Sequence, residues 1–135
     1  MRVAVIGAGL QCSRRLPVLA AAKEVEIKIV VAATKDNAEV MASSVGCESS
    51  DDWEKAVTRE DVDVVLVLTP PHLHAAVSIA AMKHGKHVLC EKPLARTLKE
   101  AEEMVKVAKE TGKLLKCGFN HRHHPAILES KKRLD

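Results

Sequence analysis

Short apolar runs alternate with amphipathic stretches along the whole chain. Residues 2–7, RVAVIG, are an apolar run that ends in glycine. Residues 13–22, SRRLPVLAAA, have helical character, with Pro17 tolerable only near a first turn. Residues 25–34, VEIKIVVAAT, read as a second strand, and residues 37–46 as a helix closed by Gly46. Residues 51–58, DDWEKAVT, predict a short helix capped by Asp51 or Asp52. Residues 62–68, VDVVLVL, are almost wholly apolar, the pattern of a strand covered on both faces. A helix over 74–85 stops at Gly85, and 86–90, KHVLC, form another strand. The clearest helix is 97–112. Thr97 and Glu100 predict a capping box there, and Leu98, Ala101, Met104, Val105 and Ala108 an apolar stripe. Gly112 ends it. Residues 113–119 are the last strand, and 124–135 start a further helix with Pro125 near its first turn.

Strand–helix alternation of this kind predicts an α/β fold, a doubly wound parallel sheet with right-handed crossovers. The 135 residues are enough for one core. Apolar residues make up 47% and charged residues 29%, which predicts a soluble, folded chain. The net charge of +3 is modest, and Trp53 and Phe119 are the only large aromatic side chains, so no nucleic-acid partner is expected. The apolar runs are too short for a membrane span, and the N-terminus turns to glycine after one strand, unlike a secretory leader. The expected location is cytoplasmic. Cys12, Cys47, Cys90 and Cys117 form no CxxC pair and read as reduced, mostly buried thiols.

The candidate chemistry gathers just beyond the strands, where open parallel sheets bind ligands. Gly7 and Gly9 occupy the first two positions of a dinucleotide fingerprint, with Cys12 in the third. Gly7 would permit the tight turn, and Gly9 a close approach to a pyrophosphate at a helix N-terminus. The second strand ends in Thr34 and Lys35, a hydroxyl and an ammonium that suit a 2′-phosphate. The alternative is a solvated Lys35, with Asp36 turned to the ribose. Thr69, Pro70, Pro71, His72 and His74 follow the 62–68 strand. One X-Pro bond of that loop is a candidate cis bond. Its histidines face a ligand or a neighbouring segment better than they suit a metal. His121, His123 and His124 with Cys117 suggest zinc at first sight, but a polar role around a substrate or at a domain boundary fits better. No metal is expected. Glu91 and Lys92 stand side by side after the 86–90 strand, and Asn120 and Arg122 follow the last one.

TPPHLH, then GKHVLCEKPLA, then GFNHRHHPA, in that order, resemble the Gfo/Idh/MocA family of NAD(P)-dependent oxidoreductases. The resemblance spans essentially the whole chain, and EKP is its most specific part. It implies a Rossmann domain over 1–120 and, at 121–135, the start of a connection to a second α/β domain that is absent. It implies oxidation or reduction of a hydroxyl or carbonyl on a sugar-like or polyol substrate, with NADP or NAD as cofactor and NADP slightly preferred. Lys92 is then the catalytic lysine, with Glu91 and Pro93 setting its direction. Leu10 and Gln11 would carry the pyrophosphate with Gly7 and Gly9. Thr34 and Lys35 resemble the 2′-phosphate pair of NADP users. Thr69, Pro70, His74, Glu91 and Asn120 would line the cofactor, and Arg122 the substrate side. The short chain is expected to be inactive or weakly active, and to self-associate through the surface the second domain would cover. The competing readings are a non-catalytic dinucleotide-binding module or sensor, and a related module for coenzyme A or another nucleotide, which leaves EKP without a role.

Overall fold

A computed structural model describes residues 1–134. The chain alternates as the pattern predicts, with β1 (Arg2–Ile6), α1 (Leu10–Ala21), β2 (Glu26–Val31), α2 (Lys35–Ser43), β3 (Glu48–Ser50), α3 (Trp53–Thr58) and β4 (Val64–Val67). Then come α4 (Pro71–Lys83), β5 (His87–Cys90), α5 (Leu98–Thr111), β6 (Leu115–Cys117), a 3-10 turn (Asn120–His123) and α6 (Pro125–Leu134). The strands form one parallel sheet in the order β3-β2-β1-β4-β5-β6. The order reverses between β1 and β4, which makes the topological switch point of a doubly wound sheet.

The two-residue period of the strands sorts the core into two layers. Ala4, Ile6, Ile29, Val31, Val65 and Val67 point toward α3, α4 and α5, where they meet Val57, Val77, Met82 and Met104. Val3, Val5, Val30, Leu66 and Leu68 point the other way, onto Cys12 and Leu16 of α1 and Ala42 of α2. Burial of both faces is why β4 and most of β1 read as apolar runs, while β2 carries Glu26 and Lys28 in its less buried first half. Cover is thinner over β5, where Leu89, the partner of Leu66 across the ladder, is 36% exposed.

Four local features differ from the sequence-based expectation. The helix after β1 starts at Leu10, not near Ser13, so Pro17 sits inside it on the exposed side. The glycine turn, not the proline, sets the start. A short edge strand, β3, precedes Asp51; ESS carries no apolar signature, and it exists because β2 offers it an open edge. On α5, Met104 and Val107 are the buried residues, while Leu98 is 74% and Val105 43% exposed. Met104 and Ala108 of the expected stripe do meet the core, and Val107 joins them in place of Leu98 and Val105. The capping box is half formed: Thr97 Oγ1 accepts the Glu100 amide at 3.2 Å, but the Glu100 carboxylate accepts the Arg96 amide at 2.9 Å. Of the two expected caps of α3, Asp52 is the one used: it accepts the Lys55 amide at 3.0 Å. The segment from residue 121 on, expected as a connection, holds most of the 3-10 turn and α6, whose described residues are all exposed, and Asp135 lies outside the described residues. Among the described residues, no helix is long and apolar enough to cross a membrane.

Candidate functional site

The ends of β1, β2 and β4 converge on Gly7. Its amide donates to the Val31 carbonyl at 2.8 Å, and its φ is 112°. A Cβ there would stand 2.5 Å from the Leu68 carbonyl carbon and 2.7 Å from the Thr69 nitrogen. Only glycine lets the three strand ends close to this distance. Gly9 differs in kind. It is extended, with φ −84°, and nothing lies within 4 Å of where a Cβ would be. Backbone conformation does not require glycine at this position, so the space on its outer side is the feature to explain.

That space is a cleft of about 500 Å³ over the switch point. Ile6, Val31, Leu68 and Leu73 supply its apolar walls, and Asn37, Asp51 and Thr69 its polar ones. Helix α1 opens onto it at Gly9, Leu10 and Gln11, and no side chain caps that end. Its first amides are therefore free donors beside the partial positive charge of the helix terminus, a setting that favours an anion. The Thr69 hydroxyl is buried and has no hydrogen-bond partner among the described residues. An apolar cleft with anion-binding amides at one edge fits a dinucleotide: the amides suit its pyrophosphate, and the slot suits a base.

Thr34 and Lys35 stand at the rim. The Thr34 hydroxyl caps α2 by accepting the Asn37 amide at 3.4 Å, and Lys35 is exposed at the first helical position. Asn37 lines the cleft instead of either of them. Pro70 borders it as the residue preceding α4.

His74 is buried, 1% exposed, and its ring is used up by the backbone. Nδ1 lies 2.7 Å from the Pro93 carbonyl and Nε2 2.8 Å from the Thr69 carbonyl. Both ring nitrogens face backbone carbonyls, so His74 ties the loop after β4 to the loop after β5. The cis X-Pro bond is Lys92–Pro93, in the second of these loops and not in the Thr69–Pro71 stretch.

Glu91 ends β5 and is 6% exposed. Its Oε2 accepts the Lys92 amide at 2.6 Å, and its Oε1 is engaged by Nη2 of Arg15 from α1. The Lys92 side chain is exposed. Beneath it, burial pushes the Cys90 thiol up to about 12, so this cysteine is a core residue and not a nucleophile. Asn120 joins Gln11, Arg15 and Leu89 along a groove on the α1 side of β5. Arg122 instead lies 5.9 Å over the Phe119 ring, in a separate groove with Cys117 and His123. Among the described residues, no three His, Cys, Asp or Glu side chains come together in a metal-binding cluster.

Sequence reasoning missed Asn37, Asp51, Trp53 and Arg15. The first three line the cleft. Asp51 and Trp53 arrive there because β3 lies at the sheet edge, and that strand left no hydrophobic signal. Arg15 reads in the sequence as one more helical surface charge.

Comparison with known proteins agrees with this geometry. Residues 1–119 match the Gfo/Idh/MocA family model, described as an oxidoreductase family with an NAD-binding Rossmann fold. The chain is 38% identical over 109 residues to a levoglucosan dehydrogenase of Pseudarthrobacter phenanthrenivorans, covering 80% of this chain and 28% of that one. It is 37% identical over 136 residues to a dTDP-3,4-didehydro-2,6-dideoxy-alpha-D-glucose 3-reductase of Actinomadura kijaniata, covering 100% of this chain and 41% of that protein. The crystal structure of a 3-ketoreductase from Actinomadura kijaniata, in complex with NADP and TDP-benzene, superposes with a TM-score of 0.93 at 36% identity. It is matched over 100% of this chain and 42% of its own. A myo-inositol 2-dehydrogenase from Lactobacillus plantarum superposes with a TM-score of 0.92 at 28% identity, over 100% of this chain and 41% of its own. The chain thus spans less than half the length of these relatives. By its switch-point cleft, its order of strands and the match over residues 1–119, the chain belongs to the Gfo/Idh/MocA oxidoreductase family, as its NAD-binding Rossmann fold.

Proposed function

We propose that this chain is the nucleotide-binding part of an NAD(P)-dependent oxidoreductase acting on a hydroxyl or carbonyl of a sugar-like or polyol substrate. One observation carries the reading: Gly9 leaves open space over the uncapped N-terminus of α1, at the mouth of a cleft at the switch point. When bound, the nicotinamide supplies the hydride acceptor or donor. The chain's own residues bind and orient it. The amides at Leu10 and Gln11 hold the pyrophosphate with Gly7 and Gly9. Thr69 and Pro70 border the cofactor, and Thr34 and Lys35 at the rim favour a 2′-phosphate, hence NADP somewhat over NAD. Lys92 is the catalytic residue: its ammonium donates a hydrogen bond to the reacting oxygen and stabilises negative charge developing there. Asn120 and Arg122 belong to the nicotinamide and substrate side, with Asn120 supported by its groove beside Gln11 and Arg15.

The relatives are more than twice as long, so cofactor binding with little turnover is the expectation for these residues by themselves. The same reading assigns the exposed 3-10 turn and α6 to contact with a further domain, or with a second copy of this chain.

Quenching of Trp53, which lines the cleft, tests the reading. NADP or NAD should quench it saturably at sub-millimolar to millimolar concentration, and coenzyme A should not. Quenching by coenzyme A alone would move the chain to a different ligand class. No response to any of the three, matched by silence in calorimetry, would overturn the proposal.

A further inference from the structure

Glu91 and Lys92 are adjacent, opposite charges, and the obvious expectation is that they pair with each other. They do not. The Glu91 carboxylate accepts the Lys92 amide at 2.6 Å with one oxygen and receives the Arg15 guanidinium with the other. Gly118 closes the β6 side: a Cβ there would lie 3.4 Å from Oε2 of Glu91. Glu91 is therefore enclosed by α1, its own loop and the end of β6, while the Lys92 side chain points into solvent.

We propose that Arg15 is a positioning residue that holds Glu91 beneath the loop, so that the carboxylate takes the Lys92 amide and not the Lys92 ammonium. A buried carboxylate needs a charged partner, and with none on α1 the nearest would be the neighbouring ammonium. Arginine suits the place because its guanidinium stays charged and reaches across with a rigid fork. The division of labour is then clear. The carboxylate fixes the backbone of the loop, and the ammonium stays available to a ligand oxygen. The purpose assigned to the free ammonium rests on the reading of Lys92 given above; the arrangement itself does not.

Site-resolved acylation of the 135-residue protein by an amine-reactive ester, read by peptide mapping, tests it without cofactor. Arg15→Met should slow acylation at Lys92 about tenfold relative to exposed Lys35 and Lys116, because a carboxylate paired to the ammonium disfavours the neutral amine. Arg15→Lys should recover most of the rate, and so should adding Glu91→Gln to Arg15→Met. A folded Arg15→Met protein with unchanged Lys92 acylation overturns the proposal. Should Arg15→Met fail to fold, the Glu91 side-chain carboxyl resonance decides. Lys92→Met should leave it in place, and Arg15→Lys should move it. A shift in Lys92→Met as large as in Arg15→Lys would show the ammonium to be the partner and sink the idea. Failure to bind any nicotinamide dinucleotide would undo the functional reading of the site but leave this arrangement standing.

Discussion

The imidazole of His74, in the first turns of α4, lies 2.7 Å from the backbone carbonyl of Pro93, two loops away. With its second nitrogen against Thr69, it joins the loop after β4 to the loop that carries Lys92. The ring itself is buried, while the Pro93 end of the contact lies at the surface. His74→Ala should remove the ring's donated hydrogen bond and leave a cavity, at a cost of about 2–4 kcal/mol. Urea unfolding measures the loss. Hydrogen exchange should also quicken at the Lys92 and Leu94 amides more than at β1. Uniform exchange changes across the sheet would contradict a local tie.

The two glycines of the first loop should separate stability from binding. Gly7→Ala forces a Cβ into the Leu68 and Thr69 backbone at positive φ, and should destabilise the fold by at least about 2 kcal/mol. Gly9→Ala meets no atom, and should cost less than about 1 kcal/mol while weakening dinucleotide binding. Thermal melts and a binding titration on both variants check the contrast. Equal destabilisation would mean that the space above Gly9 is not held open for a ligand.

Much of this was legible in the residues. The β-branched runs fixed β1, β2 and β4 because both of their faces are covered, and Gly85 and Gly112 ended their helices where expected, each at positive φ. EKP pointed to the strand end that carries Lys92. What was not legible depends on long-range packing. Edge strand β3 is polar and owes its existence to β2, so Asp51 and Trp53 gave no sign of reaching the cleft. The buried face of α5 was misjudged at Leu98 and Val105 because apolarity says nothing of which way a neighbour lies. His74 read as facing a ligand or a neighbouring segment, and no pattern reveals that its ring would meet two backbone carbonyls, 5 and 19 residues away in the chain. Arg15 and Glu91 are 76 residues apart, beyond any local signal.

Lys35 is exposed at the start of α2, at the rim of the cleft. If it meets a 2′-phosphate, NADP should bind several-fold more tightly than NAD, and the difference should shrink with added salt. Lys35→Ala should remove most of the preference. Equal affinities in the unmutated protein would instead assign the ribose to a neighbour such as Asp36.

Two half-buried carboxylates give the fold an acid-side dependence. Arg2 holds the Asp63 carboxyl well below the usual carboxylate range, bonding it at 2.6 Å through Nη2 and 3.1 Å through Nε. Hydrogen bonds from Arg59 bring Asp61 down to about 2. Both are lowered on folding, so their contribution is fully present above the unfolded value of about 3.9 and fades as pH falls toward the folded ones. Solvent screens both pairs, so the effect should be modest and salt-sensitive. The urea midpoint should fall between pH 5 and pH 2, and less steeply in Asp61→Asn and Asp63→Asn. Identical slopes in all three proteins would show that the pairs carry no net weight.

The proposed function turns on whether the switch-point cleft accepts a nicotinamide dinucleotide at the end of α1. Isothermal titration of NADPH into the 135-residue protein and into Gly9→Val measures this directly. The account predicts one saturable site in the unmutated protein. It predicts no detectable heat of binding for Gly9→Val, whose circular dichroism and melting should stay close to the parent. A folded parent protein that gives no heat with millimolar NADPH or NADH, or a Gly9→Val protein that binds as well as the parent, would contradict it.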